Sequence, residues 1–552
     1  MAENQPLPDQ QFRTQIAEDL DRTMLVEAAA GTGKTTCLIA RMVGLLREDK
    51  CRIETLAAVT FTRKAAAELR TRFQLALERD VARFAGVEQK RLSEALRHIE
   101  RCFIGTIHAF CARLLRERPV EAGIDPGFVE LDEDLDARLR EQAWREHVAT
   151  LIVTDDPILP ELQELGLKVS DSTRRSSSLA TELDELGLDA ADLGPAFLRY
   201  ADFPDIDEWP AEKTDLPGLS ACTTALRDYL AHIRTLSLPA NPGNDKLMPK
   251  YALILRMERG RDLDQRAQLM ELLEQFDGEA KVVQKNWPGK RAQALAEKER
   301  WDNFVQQYAQ PMLLAWRVHR YEPVMRAIQP ARAVYDRLRR ERNGLNFQDL
   351  LLLSAALLRD KPEIRRYFRE RFTHVLVDEF QDTDPIQAEV MLLLTADDVK
   401  ETDWQKCRPI PGSLFVVGDP KQSIYRFRRA DILTYNKVRM IIENAGGAVV
   451  PLSANFRSVK PVVDWVNSCF NSVFPTDADA FSPANRPLDV GRADVVTDGT
   501  GIHKLVAPAA LRRKDDVAQH EADLIARTIR QAIDQRWTVP RTQSERDHGI
   551  TP

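Results

Sequence analysis

No apolar run in this 552-residue chain approaches the roughly 18 residues that a membrane span would need. The opening stretch, MAENQPLPDQQF, is polar where a secretory signal would carry an apolar core. Together the two absences predict a cytoplasmic protein. Seven cysteines (Cys37, Cys51, Cys102, Cys111, Cys222, Cys407, Cys469) are scattered without a CxxC pair or an adjoining histidine cluster. That excludes a zinc ribbon or a disulfide frame and predicts reduced thiols. With a formal net charge of -7 there is no whole-molecule basic footprint, so any grip on nucleic acid must come from a local groove. There is no internal repeat.

What is present is a balance of 43% hydrophobic and 30% charged residues, which fits a folded protein and leaves little room for disorder. Short β-rich runs recur at Thr23 to Val26, Leu56 to Val59, Cys102 to Ile104, Val375 to Val377 and Leu414 to Val417, each leading into a turn and then a helical stretch. This rhythm predicts an α/β fold with a parallel sheet covered by helices. Three runs precede residue 110 and two follow residue 370, so one domain is split by an insertion over roughly 135–345. The insertion reads as helical: acidic and serine-rich around Asp171 to Glu208, more basic around Lys246 to Arg342. Lys281, Lys285, Lys290 and Arg291 form a candidate DNA-facing patch on what is otherwise a solvated helical decoration. Beyond residue 459 the pattern predicts a helix near Pro461 to Phe470, a strand at Gly501 to Val506 and a helix at Val517 to Ile533. The polar ending RTQSERDHGITP reads as frayed or truncated.

Three strand ends carry chemistry. The first runs into Glu27-Ala28-Ala29-Ala30-Gly31-Thr32-Gly33-Lys34-Thr35-Thr36 and then an amphipathic helix. Glycines there let backbone N–H groups close around a phosphate, Lys34 supplies a point charge, and Thr35 can hold Mg²⁺. The second, Val375-Leu376-Val377-Asp378-Glu379-Phe380-Gln381-Asp382, places adjacent carboxylates at the end of a wholly apolar strand. Asp378 can hold Mg²⁺ through water while Glu379 orients and deprotonates an attacking water. The third, Gly418-Asp419-Pro420-Lys421-Gln422-Ser423-Ile424-Tyr425-Arg426-Phe427-Arg428, joins a candidate γ-phosphate sensor, Gln422, to interleaved rings and cations. Such a mixture suits single-stranded nucleic acid, where cations track phosphates and rings stack on bases.

These segments, with TFTRKAAAELRTR (Thr60 to Arg72), GTIHAFC (Gly105 to Cys111) and LSANFRS (Leu452 to Ser458), resemble the ordered motifs of superfamily 1 DNA helicases of the UvrD/RecB type. The wording is most similar to the RecB and AddA branch. The resemblance implies a RecA-like, P-loop motor domain split as 1–135 and 345–458, a helical domain at 136–344, and the incomplete start of a second RecA-like domain at 459–552. It implies ATP and Mg²⁺ as cofactors, with Gln10 or Gln11 reading adenine and Ala28, Ala29, Ala30, Gly31, Thr32, Gly33, Lys34, Thr35, Thr36 and Arg41 contacting nucleotide. Thr35 and Asp378 would hold the metal, and Arg457 with Gln422 would sense the γ-phosphate. Thr60, Phe61, Thr62, Arg63, Thr106, His108, Phe110, Tyr425 and Arg428 would face DNA. The implied activity is ATP-dependent 3′-5′ movement on single-stranded DNA and unwinding of 3′-tailed duplex in repair or recombination. The implied partner is a nuclease or recombination subunit. Arg63 stands where the family often has Asn, and Arg429 where Gly is frequent. The second motor domain's further motifs and a nuclease domain are not found. The alternative expectation is therefore a truncated ATP- and DNA-binding module with weak ATPase and no unwinding of its own.

Overall fold

The computed structural model describes residues 6–170, 191–204, 206, 214, 218–239, 241–278, 280–424, 432–476, 479, 482–491, 502–511 and 513–537. Tyr425, Phe427, Arg428, Arg429 and Gly501, named above, lie outside them. The chain divides into two compact units, Met1–Pro126 with Asp349–Pro552, and Gly127–Gln348.

The first unit is built on six parallel strands: β1 (Met24–Ala28), β2 (Leu56–Thr60), β3 (Phe103–Thr106), β4 (His374–Val377), β5 (Leu414–Gly418) and β6 (Ala448–Leu452), in the order β6-β1-β5-β4-β2-β3. β1, β2, β4 and β5 have neighbours on both sides and are almost wholly buried, which is why they read as continuous apolar runs. The sixth strand is not flagged by the sequence pattern, because Pro451 interrupts it. It is tolerated since β6 lies at the sheet's edge, where a missing N–H costs no ladder bond on the outer side. Helices α1 (Gln10–Glu18), α2 (Lys34–Arg47) and α3 (Arg63–Arg83) cover one face, and Ile16, Leu38, Met42, Leu69, Phe73 and Leu77 pack against Val26, Ala58 and Phe415. Helix α4 (Ile107–Glu117) follows β3 directly. Every strand therefore delivers its carboxyl end to the same edge, the place where parallel sheets carry their sites. After β6 come the helices Lys460–Phe470 and Lys514–Asp534. Ile502 to Val506 form no strand, in contrast to the pattern-based expectation: a strand needs a neighbour to take its N–H and C=O groups, and none pairs with this segment among the described residues.

The second unit is helical, with Glu133–Val153, Ser220–Thr235, Leu247–Glu258, Lys290–Phe304 and Gln310–Glu341 enclosing Trp144, Phe197, Tyr251, Phe276, Trp301 and Trp316. Its buried acids are satisfied: Asp136 accepts from the Tyr335 hydroxyl, and Glu297 from the Tyr251 hydroxyl at 3.2 Å and pairs with His232 at 2.9 Å. Lys281, Lys285, Lys290 and Arg291 are exposed.

Arg41 departs from the expected nucleotide contact. Its side chain is fully buried on α2, and the guanidinium donates to the carbonyls of Ile16 (3.1 Å), Asp19 (3.0 Å), Leu20 (3.2 Å) and Arg22 (2.7 Å) while lying over the Phe415 ring. Burial lowers its pKa to about 10, still far above neutrality. It closes the end of α1 and the turn before β1 by donating to carbonyls that the helix end leaves outside its own ladder. Arg41→Met is therefore expected to cost at least about 3 kcal/mol in urea unfolding, through orphaned carbonyls, while leaving ATP affinity of the folded fraction unchanged. Intact stability with lost nucleotide binding would return Arg41 to the nucleotide site.

Candidate functional site

β1 ends at Ala28 and the chain turns through Ala29 to Gly33 before α2 begins at Lys34. Gly31 (φ 75°) and Gly33 (φ 85°) take left-handed conformations that other residues resist, so the loop wraps tightly over the N-terminus of α2. Thr32, fully buried, closes the turn by donating its hydroxyl to Ala29 O at 2.8 Å. Thr35 and Thr36 lie in the first turn of α2. From that turn Lys34 Nζ reaches Glu379 Oε2 at 2.7 Å, joining the loop after β1 to the one after β4.

Asp378 and Glu379 follow β4 directly. Asp378 is 8% exposed, while Glu379 is a non-glycine residue at φ 53°, the kind of strained backbone that concentrates at functional sites. Burial, with the Glu379 charge beside it, pushes the Asp378 carboxyl up to about 6, and burial and Glu379 likewise raise Asp382 to about 6. Burial also pushes Glu379 upward, but the Lys34 ammonium, Gln381 and Arg457 outweigh it and hold Glu379 below the usual carboxylate range. Glu379 is thus held ionised beside two carboxyls whose pKa values are raised.

A relay connects this dyad to the loop after β5. Gln381, 4% exposed, donates from Nε2 to Glu379 Oε2 (2.8 Å) and accepts at Oε1 from Asp419 N (2.9 Å). Asp419 in turn accepts from Gln422 Nε2 at 2.8 Å. The sequence signal for Gln381 was its place inside the acidic motif, but only the fold shows that both ends of its amide are used. After β6, Asn455 and Arg457 approach from the other side: Asn455 Nδ2 donates to Ala30 O at 2.7 Å, and Arg457 acts electrostatically on Glu379. The structure therefore brings Lys34, Asp378, Glu379, Gln422 and Arg457 to one edge. Gln10 and Gln11 are exposed at the start of α1.

The DNA-facing candidates divide. Thr60 pairs with Thr106 across β2 and β3, so the segments Thr60 to Arg63 and Thr106 to His108 leave the sheet side by side. Thr62 and Thr106 cap α3 and α4 through Ala65 N (3.1 Å) and Ala109 N (3.2 Å), and Arg63 is exposed. Phe110 does not fit the expectation. At 1% exposure it sits edge-on between the rings of Phe103 and Phe372, 5.0 Å from each, as a core residue on the inner side of α4.

The raised Asp378 pKa makes a signed prediction. Between about pH 3.8 and pH 6 the folded protein holds a proton that the unfolded chain has released, so this residue makes stability fall as pH rises through that window. Asp378→Asn should stabilise the nucleotide-free protein at pH 7 by up to about 3 kcal/mol and leave it unchanged near pH 3.5. Thermal unfolding of both proteins across that range checks it; equal stability at both ends would show that Asp378 is not electrostatically strained.

With this geometry in view, comparison with known proteins is specific. The UvrD/REP helicase N-terminal domain family matches residues 9–200 and 219–441. The AddA protein of Exiguobacterium sibiricum, an ATP-dependent helicase/nuclease subunit, is 27% identical over 494 residues, which cover 82% of this chain and 38% of the relative. Proteins of the same name from Moorella thermoacetica (29% identical, 82% of this chain, 34% of the relative) and Bacillus pumilus (27% identical, 97% and 46%) are similar in the same way. The chain spans less than half the length of these curated relatives. Family match, six-stranded parallel sheet and clustered motif residues agree: this chain belongs to the UvrD/REP helicase N-terminal domain family.

Proposed function

We propose that the chain is an ATP-driven 3′-5′ motor on single-stranded DNA, acting on 3′-tailed duplex in repair or recombination, in the cytoplasm and alongside a nuclease subunit. The observation that carries this reading is the Lys34–Glu379 ion pair, set among Asp378, Gln381, Gln422 and Arg457. ATP is the substrate such a site takes, because a glycine loop at a helix N-terminus with one lysine is built for a polyphosphate. The incoming γ-phosphate competes for the Lys34 ammonium. As Lys34 leaves it, Glu379 Oε2 is freed to bind the attacking water and accept its proton, while Gln422 and Arg457 contact the γ-phosphate.

The residues also fit Mg²⁺. Asp378 is a buried carboxylate with an acidic neighbour, and Asp382 Oδ1 is buried with no hydrogen-bond partner among the described residues, oxygen donors of the kind that Mg²⁺ takes. Thr35 and Asp378 would hold the ion, whose chemistry is to offset charge on the transferring phosphoryl group. Thr60, Phe61, Thr62, Arg63, Thr106 and His108 supply the DNA path from the same edge, and residues 459–552 open a second motor domain.

A second reading, an ATP- and DNA-binding module with weak turnover and no unwinding, draws on one observation. Helix Lys514–Asp534 has no buried residue and exposes Ile525, Ile529 and Ile533 along one side. ATPase assays with and without single-stranded DNA, and strand displacement on a 3′-tailed duplex, separate the two readings.

Lys34→Ala is expected to abolish ATP retention, whereas Glu379→Gln should bind ATP normally and lose about 10²- to 10⁴-fold in DNA-stimulated turnover. Filter binding and steady-state hydrolysis measure both. Equal loss of binding in the two variants would remove Glu379 from its role as base.

A further inference from the structure

We infer that Asp9, the residue just before α1, and Arg13, in the first turn of that helix, are positioning residues that set Arg457 against the phosphate loop. This rests on the reading above, in which Arg457 contacts the γ-phosphate. Asp9 is 1% exposed, and its carboxylate accepts from Arg13 Nε and Nη2 (both 2.7 Å) and from the backbone N–H of Ser453 and Ala454 (both 3.0 Å). These bonds hold its pKa low against the effect of burial. Arg13 reaches further: Nη2 donates to Thr32 O at 2.9 Å, and the guanidinium lies 5.0 Å from the centre of the Phe456 ring. One fork therefore grips the phosphate loop and the segment after β6 together, which a point charge such as lysine could not do.

The same segment grips the loop from its own side. Asn455 Nδ2 donates to Ala30 O at 2.7 Å and Phe456 N to Gly31 O at 2.8 Å, so three consecutive loop carbonyls, those of Ala30, Gly31 and Thr32, are held by Asn455, Phe456 and Arg13. In a trans peptide the next N–H points the opposite way, so holding these carbonyls aims the N–H groups of Gly31 and Gly33 away from the clamp. Asn455 Oδ1 accepts from Arg457 N (3.0 Å) and Ser458 N (2.7 Å), which fixes the backbone of Arg457 itself. The packing leaves no slack. A Cβ on Gly31 would come within 2.6 Å of Arg457 Cβ and 2.9 Å of Asn455 Nδ2. The shape of the loop and the reach of Arg457 are thus one mechanical unit, and α1 locks it through Asp9 and Arg13, with no part taken by the exposed Gln10 and Gln11.

The test is a double-mutant cycle read in binding. Affinities for a non-hydrolysable ATP analogue and for ADP are measured for the 552-residue chain and its R13Q, D9N, R457A and R13Q/R457A variants. R457A should lower the analogue-to-ADP affinity ratio. R13Q should lower that ratio by about tenfold with ADP affinity kept within about threefold, and should add nothing once Arg457 is gone. D9N keeps an acceptor oxygen for Ser453 and Ala454 but weakens the charge pair. It should move the ratio in the same direction, and it gives the answer if R13Q does not fold. An R13Q effect of equal size with and without Arg457, an equal loss of ADP and analogue, or a D9N ratio equal to that of the unmodified chain would overturn the proposal while leaving the γ-phosphate role of Arg457 standing. An unchanged ratio in R457A would instead bring down that role, and this proposal with it.

Discussion

A lysine ammonium and a glutamate carboxylate 2.7 Å apart join two loops whose residues stand 345 positions apart in the chain. Everything around the pair follows from the sheet that allows it. The strand order puts β5 between β1 and β4, so the phosphate loop and the acidic loop flank the loop after β5. Gln381 fills the interval from Glu379 to Asp419, and Gln422 is tied to the same aspartate. On the outer side of β1, the edge strand β6 carries Asn455 and Arg457 to the phosphate loop. Parallel strands with their carboxyl ends at one edge are what make a site from four distant segments possible.

The electrostatics have a direction. Asp378, Glu379 and Asp382 lie near the Lys34 ammonium but respond unequally: Glu379 is held ionised while Asp378 and Asp382 are raised to about 6. Under the proposed function, buried carboxylates of this kind favour a metal-bound polyphosphate, and a carboxylate with a lowered pKa is ionised at neutral pH. The strained backbone at Glu379 is consistent with a residue held in place by its surroundings more than by its own preference.

Much of this was legible in the amino-acid order, for definite reasons. Central parallel strands are apolar on both faces, so β1, β2, β4 and β5 announce themselves as short β-rich runs, and the chemistry-bearing loops follow each at once. Where pattern failed, a tertiary fact had intervened. Pro451 hides β6, because only its edge position makes the proline harmless. Phe110, which the family resemblance places on DNA, is enclosed by Phe103 and Phe372. Arg41, which the family resemblance places on nucleotide, is instead surrounded by four carbonyls from α1 and the turn after it. Asp9 and Arg13 carry no motif at all; their weight comes from bonds to Thr32, Ser453 and Ala454, which no local pattern reveals.

In the proposed cycle the γ-phosphate takes Lys34 away from Glu379. A crystal structure of the chain with Mg²⁺ and a non-hydrolysable ATP analogue tests this most directly. Lys34 Nζ is expected to donate to a phosphate oxygen and to stand apart from Glu379 Oε2, with a water bound to the freed carboxylate. A nucleotide seated in the loop with the 2.7 Å Lys34–Glu379 contact still intact would contradict it.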